Sequence, residues 1–137
     1  MTIIWGYDPS TALSSFKKIG EDIKEAKQVF SALLFKAGVK GVIVYIADFT
    51  ENVKVKMQLM VDSKKVLEIH FNPETKGEHL FEADSIFYPK IKIEVVIAVK
   101  NGRVNLPLSS IGSGMGFQKL EDQFVPTNHL GLGLIIP

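Results

Sequence analysis

Three histidines, His70, His79 and His129, are the residues best suited to proton transfer or metal binding in this chain. Imidazole titrates near neutral pH and is the commonest metal ligand. His70 lies on a strand-like stretch with Val66 and Glu68 as same-face neighbours, and His79 opens the next such stretch. The two rings approach across a ladder in this reading. Glu68 or Glu78 then completes a zinc-type ligand set. A small metal-dependent enzyme using His70 and His79 is one reading of the sequence. Against it, no HExxH or similarly tight spacing occurs, and surface histidines on a sheet are the ordinary case. The expectation is no metal.

Other chemistry is less well supported. Glu82 with Asp84, Glu121 with Asp122, and Asp48 with Glu51 are carboxylates close in sequence. General acid–base work needs two carboxyls that converge from different elements on one pocket. Gly112–Gly116 has the spacing G-x-G-x-G, without the third glycine position, parallel βαβ unit or lysine of a phosphate-binding loop. It reads as a flexible connector. Ser109, Ser110 and Ser113 stand in no G-x-S-x-G elbow. The chain has no cysteine, which removes disulfides, thiolate metal sites and thiol nucleophiles. The expectation is no enzyme, no catalytic residue and no cofactor.

Composition narrows the partners. The 137 residues are 46% hydrophobic and 23% charged, with a net charge of +1, the profile of one globular domain. Arg103 is the only arginine, and arginine is the preferred reader of phosphate. No nucleic-acid partner is expected. No apolar run approaches the ~18 residues that span a bilayer, so no membrane partner is expected either. Met1–Tyr7 is too short and lacks the basic start of a signal peptide.

The elements that would carry these residues fall into three parts: 1–38, 39–102 and 103–137. In the first, Ala12, Phe16, Ile19, Ile23, Ala26, Phe30, Leu33 and Ala37 recur in steps of three and four. That stripe predicts an amphipathic helix from Pro9 to about Lys27, despite Gly20 in its middle. Gln28–Lys36 fits a helix or a strand. In the second part Val42–Ala47 is a β-branched and aromatic run. Val53, Val55, Met57, Leu59 and Val61 alternate with Lys54, Lys56 and Gln58. Asp62-Ser63 turns the chain into Lys65–Phe71, with Leu67, Ile69 and Phe71 inward. Glu78–Phe87 is a weaker strand. Ile91, Ile93, Val95, Ile97 and Val99 line one side of the next, which ends at the Asn101-Gly102 turn. In the third part Leu106–Ile111 reads as a strand and Phe117–Phe124 as one or two helical turns. The tail His129–Pro137 is apolar and lacks charged side chains.

The hairpin VKVKMQLMVDSKKVLEIHF, the strand FYPKIKIEVVI and the NG turn make Gly41–Gly102 similar to small β-sandwich modules. Such modules occur in virion decoration, spike and tail-accessory proteins and in some carbohydrate-binding proteins. The resemblance implies a structural or binding role. The fold expected is mainly β (α+β): an antiparallel β-sandwich of jelly-roll kind with an N-terminal amphipathic helix. The function expected is non-enzymatic assembly into a larger symmetric complex, such as a viral capsid or virion accessory subunit. Itself or other structural subunits would be the partners. A virion is then the location, and otherwise a soluble compartment.

Apolar ends must be covered by something. Ile3, Ile4, Trp5, Leu130, Leu132, Leu134, Ile135 and Ile136 are therefore the expected interface, either as edge strands of their own sheet or as arms on a neighbour. The alternative is a carbohydrate- or ligand-binding module that uses exposed aromatics, with Tyr45 and Tyr88 as candidates beside Phe49 and Phe87.

Overall fold

Strict alternation of apolar and polar residues produces the most regular elements of the structure, a computed structural model. It describes residues 3–5, 12–20, 23–32, 36, 38–109, 114–120 and 122–137. β6 (Lys54–Val61) buries Val55, Met57, Leu59 and Val61, following the buried Val53, and presents Lys54, Lys56 and Gln58 to the other side. β7 (Lys64–Phe71) returns antiparallel, with Val61 paired to Lys64. The two-residue turn between them holds Asp62 at φ 51° and Ser63 at φ 68°. Positive φ at both positions is what a tight hairpin of this twist requires. β9 (Lys92–Lys100) lies on the far side of β6 and buries Ile93, Val95, Ile97 and Val99.

The remaining elements are β1 (Ile3–Trp5), β2 (Ala12–Ile19), β3 (Glu25–Ser31), β4 (Val39–Ile46), β5 (Asp48–Phe49) and β8 (Gly77–Phe87). They are followed by β10 (Val104–Ser109), β11 (Gly114–Leu120), β12 (Gln123–Thr127), β13 (His129–Leu130) and β14 (Leu132–Ile136). The pairings are antiparallel. A six-stranded sheet runs β12-β11-β3-β9-β6-β7. A four-stranded sheet runs β1-β14-β4-β8. A third runs β13-β10-β2, with β5 beside β10. One apolar cluster joins them: Phe30, Met57 and Ile97 from the first, Val42 and Leu132 from the second, Leu106 and Leu130 from the third. The chain is thus mainly β and antiparallel.

The expected N-terminal helix is not present among the described residues. Its span holds β2 and β3, and residues 21–22 between them lie outside the described residues. The start of that expected helix, residues 9–11, lies outside the described residues. Gly20 is the reason for the break. Its φ is 124°, and a Cβ there would collide with the carbonyl oxygen of Gly102. Two crossings between sheets, β2 to β3 and β9 to β10, therefore stack at this glycine. The period of two was hidden because Gln28 occupies an inward position between Ala26 and Phe30, all three fully buried. A polar core residue interrupts the alternation and leaves only the steps of three and four visible.

The expected helical turns at Phe117–Phe124 are also corrected. They form the β11–β12 hairpin, with Leu120 opposite Gln123 and Asp122 at φ 67°. The same hairpin absorbs part of the glycine-rich stretch. Gly114 and Gly116 belong to β11, while residues 112–113 lie outside the described residues. Gln28–Lys36 is strand as far as Ser31.

The last strand ties two sheets together. β13 pairs with β10, and β14 runs between β1 and β4. Gly131 joins them. Its carbonyl accepts the Tyr45 N–H at 2.8 Å, and a Cβ would lie 2.7 Å from the Pro107 ring.

Candidate functional site

Both chain ends form strands of the chain's own sheet. Ile3, Ile4 and Trp5 stand opposite Ile136, Ile135 and Leu134. Leu130, Leu132, Leu134 and Ile135 are buried within the chain itself, and Ile136 is half-buried. The tail supplies core, so these side chains are already covered.

The histidines serve separate local roles. His129 is buried, its Nδ1 3.0 Å from Gln28 Nε2, with its ring edge-on to Phe30. Gln28 Oε1 accepts the Leu130 N–H at 3.0 Å. One buried amide thus ties β3 to β13. His79 Nε2 lies 2.9 Å from the Thr75 carbonyl, and its ring stacks against Phe71. His70 Nε2 lies 3.1 Å from Glu68 Oε2. His70 and His79 belong to different sheets, and no group of three metal-ligating side chains exists among the described residues.

Of the carboxylates paired in the sequence, Asp48 and Glu82 hold surface ion pairs, and Glu121 lies outside the described residues. Asp48 meets Lys76 and Arg103, and Glu82 meets Lys40. Glu68 is held down to about 2 by hydrogen bonds from Gln58, then His70 and Lys65. Asp62 is also lowered, first by the Lys90 N–H and then by those of Ile91 and Lys92. Its carboxylate accepts from these at 2.9, 2.7 and 3.1 Å and clamps the β6–β7 turn to the start of β9.

Tyr45 and Tyr88 are not brought together. Tyr45 is buried beside Ile43, whereas Tyr88 is exposed. Tyr45 pairs with Glu78 at one end of β4, and Tyr88 follows Phe87, which pairs with Val39 at the other. About 20 Å of strand separates the two positions. Phe49 and Phe87 are half-buried.

Two surface features emerge from the fold, and of their residues the sequence singles out Tyr88 and His70 as candidates. The first is the free edge of β8. Most other sheet edges are short or blunted. β1 has three residues, β7 carries Lys64, Lys65, Glu68 and His70, and β12 contains Pro126. β8 has 11 residues and pairs only with β4 among the described strands. Its end leads into an apolar surface. Ile86 and Tyr88 both lie over Gly38, where a Cβ would collide with Ile86. Tyr88 is 63% exposed and Ile91 72%.

The second feature is a lysine-lined hollow on the outer face of the six-stranded sheet. It has two lobes, of about 400 and 440 Å³, that share Ala98, Lys100 and Asn101. Lys54, Lys56, His70 and Asn72 line one lobe, and Lys24 and Glu25 the other. Lys54 and Lys56 were legible as the outer face of β6. The pairing of Lys54 with Lys100, 46 positions away, depends on register and was not.

Comparison with protein-family models finds no match, and neither does comparison with curated proteins or with solved structures.

Proposed function

We propose that this chain is a non-catalytic β-sandwich subunit that assembles with copies of itself. A capsid or virion accessory subunit is the setting that the resemblance of the β core implies. The observation carrying the proposal is the apolar surface at the end of the open β8 edge, where Ile86 and Tyr88 lie together over Gly38, with the exposed Ile91 three residues further along the chain. Burying exposed apolar side chains of this size is favourable by about 25 cal/mol per Å².

The sequence around this surface fits a second copy of the chain. A two-fold axis near Phe87 sets Ile86 of one copy against Tyr88 of the other. It also sets Asp84 against Lys90. Neither Asp84 nor Lys90 has an ion-pair partner among the described residues. Such a self-complementary patch is the requirement of a two-fold contact. The termini then act from within each subunit, by holding β14 and β4 behind the β8 edge.

The test is the solution mass of the full chain and of the double variant Tyr88→Glu, Ile91→Glu. Both side chains are exposed, so the variant should keep its β-type circular dichroism. A wild-type oligomer that becomes a folded monomer in the variant supports the proposal. Equal masses for both proteins sink this interface.

A further inference from the structure

We infer that the lysine-lined hollow of the six-stranded sheet is a binding site for ligands carrying two or more closely spaced phosphate or sulfate groups. The inference is independent of the assembly proposal and uses the opposite part of the surface chemistry. Strand register builds the site. Lys54 of β6 stands directly opposite Lys100 of β9, and Lys56 stands between His70 of β7 and Ala98 of β9. The small Ala98 side chain leaves the floor low between these longer neighbours. Asn72 and Asn101 supply amide groups at the rim of the lobe that holds Lys54 and Lys56.

The charge balance of this hollow differs from that of its surroundings. Elsewhere on the same sheet, Lys27 and Lys92 are matched to Glu94, Lys65 to Glu68 and Lys119 to Glu25, while Lys64, at the start of the edge strand β7, has no ion-pair partner among the described residues. Among the described residues, Glu25 is the only carboxylate lining the hollow, and Lys119 already holds it at 3.0 Å. Lys24, Lys54, Lys56 and Lys100 have no ion-pair partner among the described residues. Like charges placed directly opposite on neighbouring strands destabilise a sheet. Lys54 against Lys100 is such a pair, in a protein whose net charge is only +1.

An anion seated between the two lysines relieves that repulsion and gains from several cations at once. The absence of arginine here favours a ligand held by point charges rather than by bidentate planar recognition. Lobes of this volume admit a small oligoanion or one anionic sugar unit.

The experiment is calorimetric titration of the full chain at low salt with tripolyphosphate and, separately, with a multiply sulfated disaccharide. An unsulfated disaccharide is the blank. Lys54→Gln, Lys100→Gln is compared with a control double variant, Lys40→Gln, Lys64→Gln, which removes the same charge at residues that do not line the hollow. The inference expects one or both anions to bind, about tenfold more weakly to the hollow variant and nearly unchanged to the control. The anion that binds more tightly identifies the source of the charge. The Tm of the unliganded hollow variant should rise, because the opposed pair is gone. No binding of either anion, or equal weakening in the two variants, overturns the inference.

Discussion

Gln28 shows how much one polar residue decides in this fold. Its amide is fully buried and joins β3 to β13 through Leu130 N–H and His129. Replacing it by alanine leaves a buried N–H without its acceptor and opens a cavity. The expected loss is about 2–4 kcal/mol in urea denaturation. A loss below half a kilocalorie would show that the amide is not what couples these strands. Glu68 gives a second test at this scale. Its folded pKa of about 2 lies below the ordinary 4.5. The stabilisation is therefore present above pH 4.5 and lost as pH falls toward 2. Tm measured between those values should fall more steeply for the wild type than for Glu68→Gln. Parallel slopes would remove Glu68 from the acid response.

At the scale of elements, Gly20 separates two accounts of the N-terminal part. In an exposed helix, Gly20→Ala would stabilise the chain by about 1 kcal/mol. At the observed bend, with φ 124° and the Gly102 carbonyl in the way, the same change should destabilise by about 1–3 kcal/mol. Urea titration distinguishes the signs. The C-terminal strand offers a similar contrast. Leu130, Leu132 and Leu134 are each fully buried, so Leu132→Ala should cost about 2–5 kcal/mol. Deleting His129–Pro137 should leave the chain unfolded by circular dichroism, since three such losses approach the whole stability of a domain. A folded truncated monomer would mean that this strand is an accessory arm.

These elements also show what the sequence made legible. β6, β7 and β9 were readable because every inward position is apolar and the Asp62-Ser63 turn is short. β3 was not, because Gln28 stands in the inward row. β11 and β12 were missed because glycines and polar residues replace the alternation. Of the surface features, Tyr88 was anticipated from its residue type. The hollow depended on pairing between Lys54 and Lys100, which no local pattern contains.

At the scale of the whole molecule, the described surface divides by chemistry. The outer face of the six-stranded sheet carries unneutralised lysines. The β8 edge carries Glu78, Glu82 and Asp84 and runs into an apolar end. Chemistry that would need converging carboxylates or a histidine pair is dispersed across separate sheets. The two surfaces belong to separate sheets.

The most direct test of the assembly proposal is multi-angle light scattering of the full chain over a range of concentrations, beside Tyr88→Glu, Ile91→Glu. The account predicts a defined multiple of 15.2 kDa for the wild type and a folded monomer for the variant. A wild type that stays monomeric at every concentration, or a variant that assembles as well as the wild type, would contradict it.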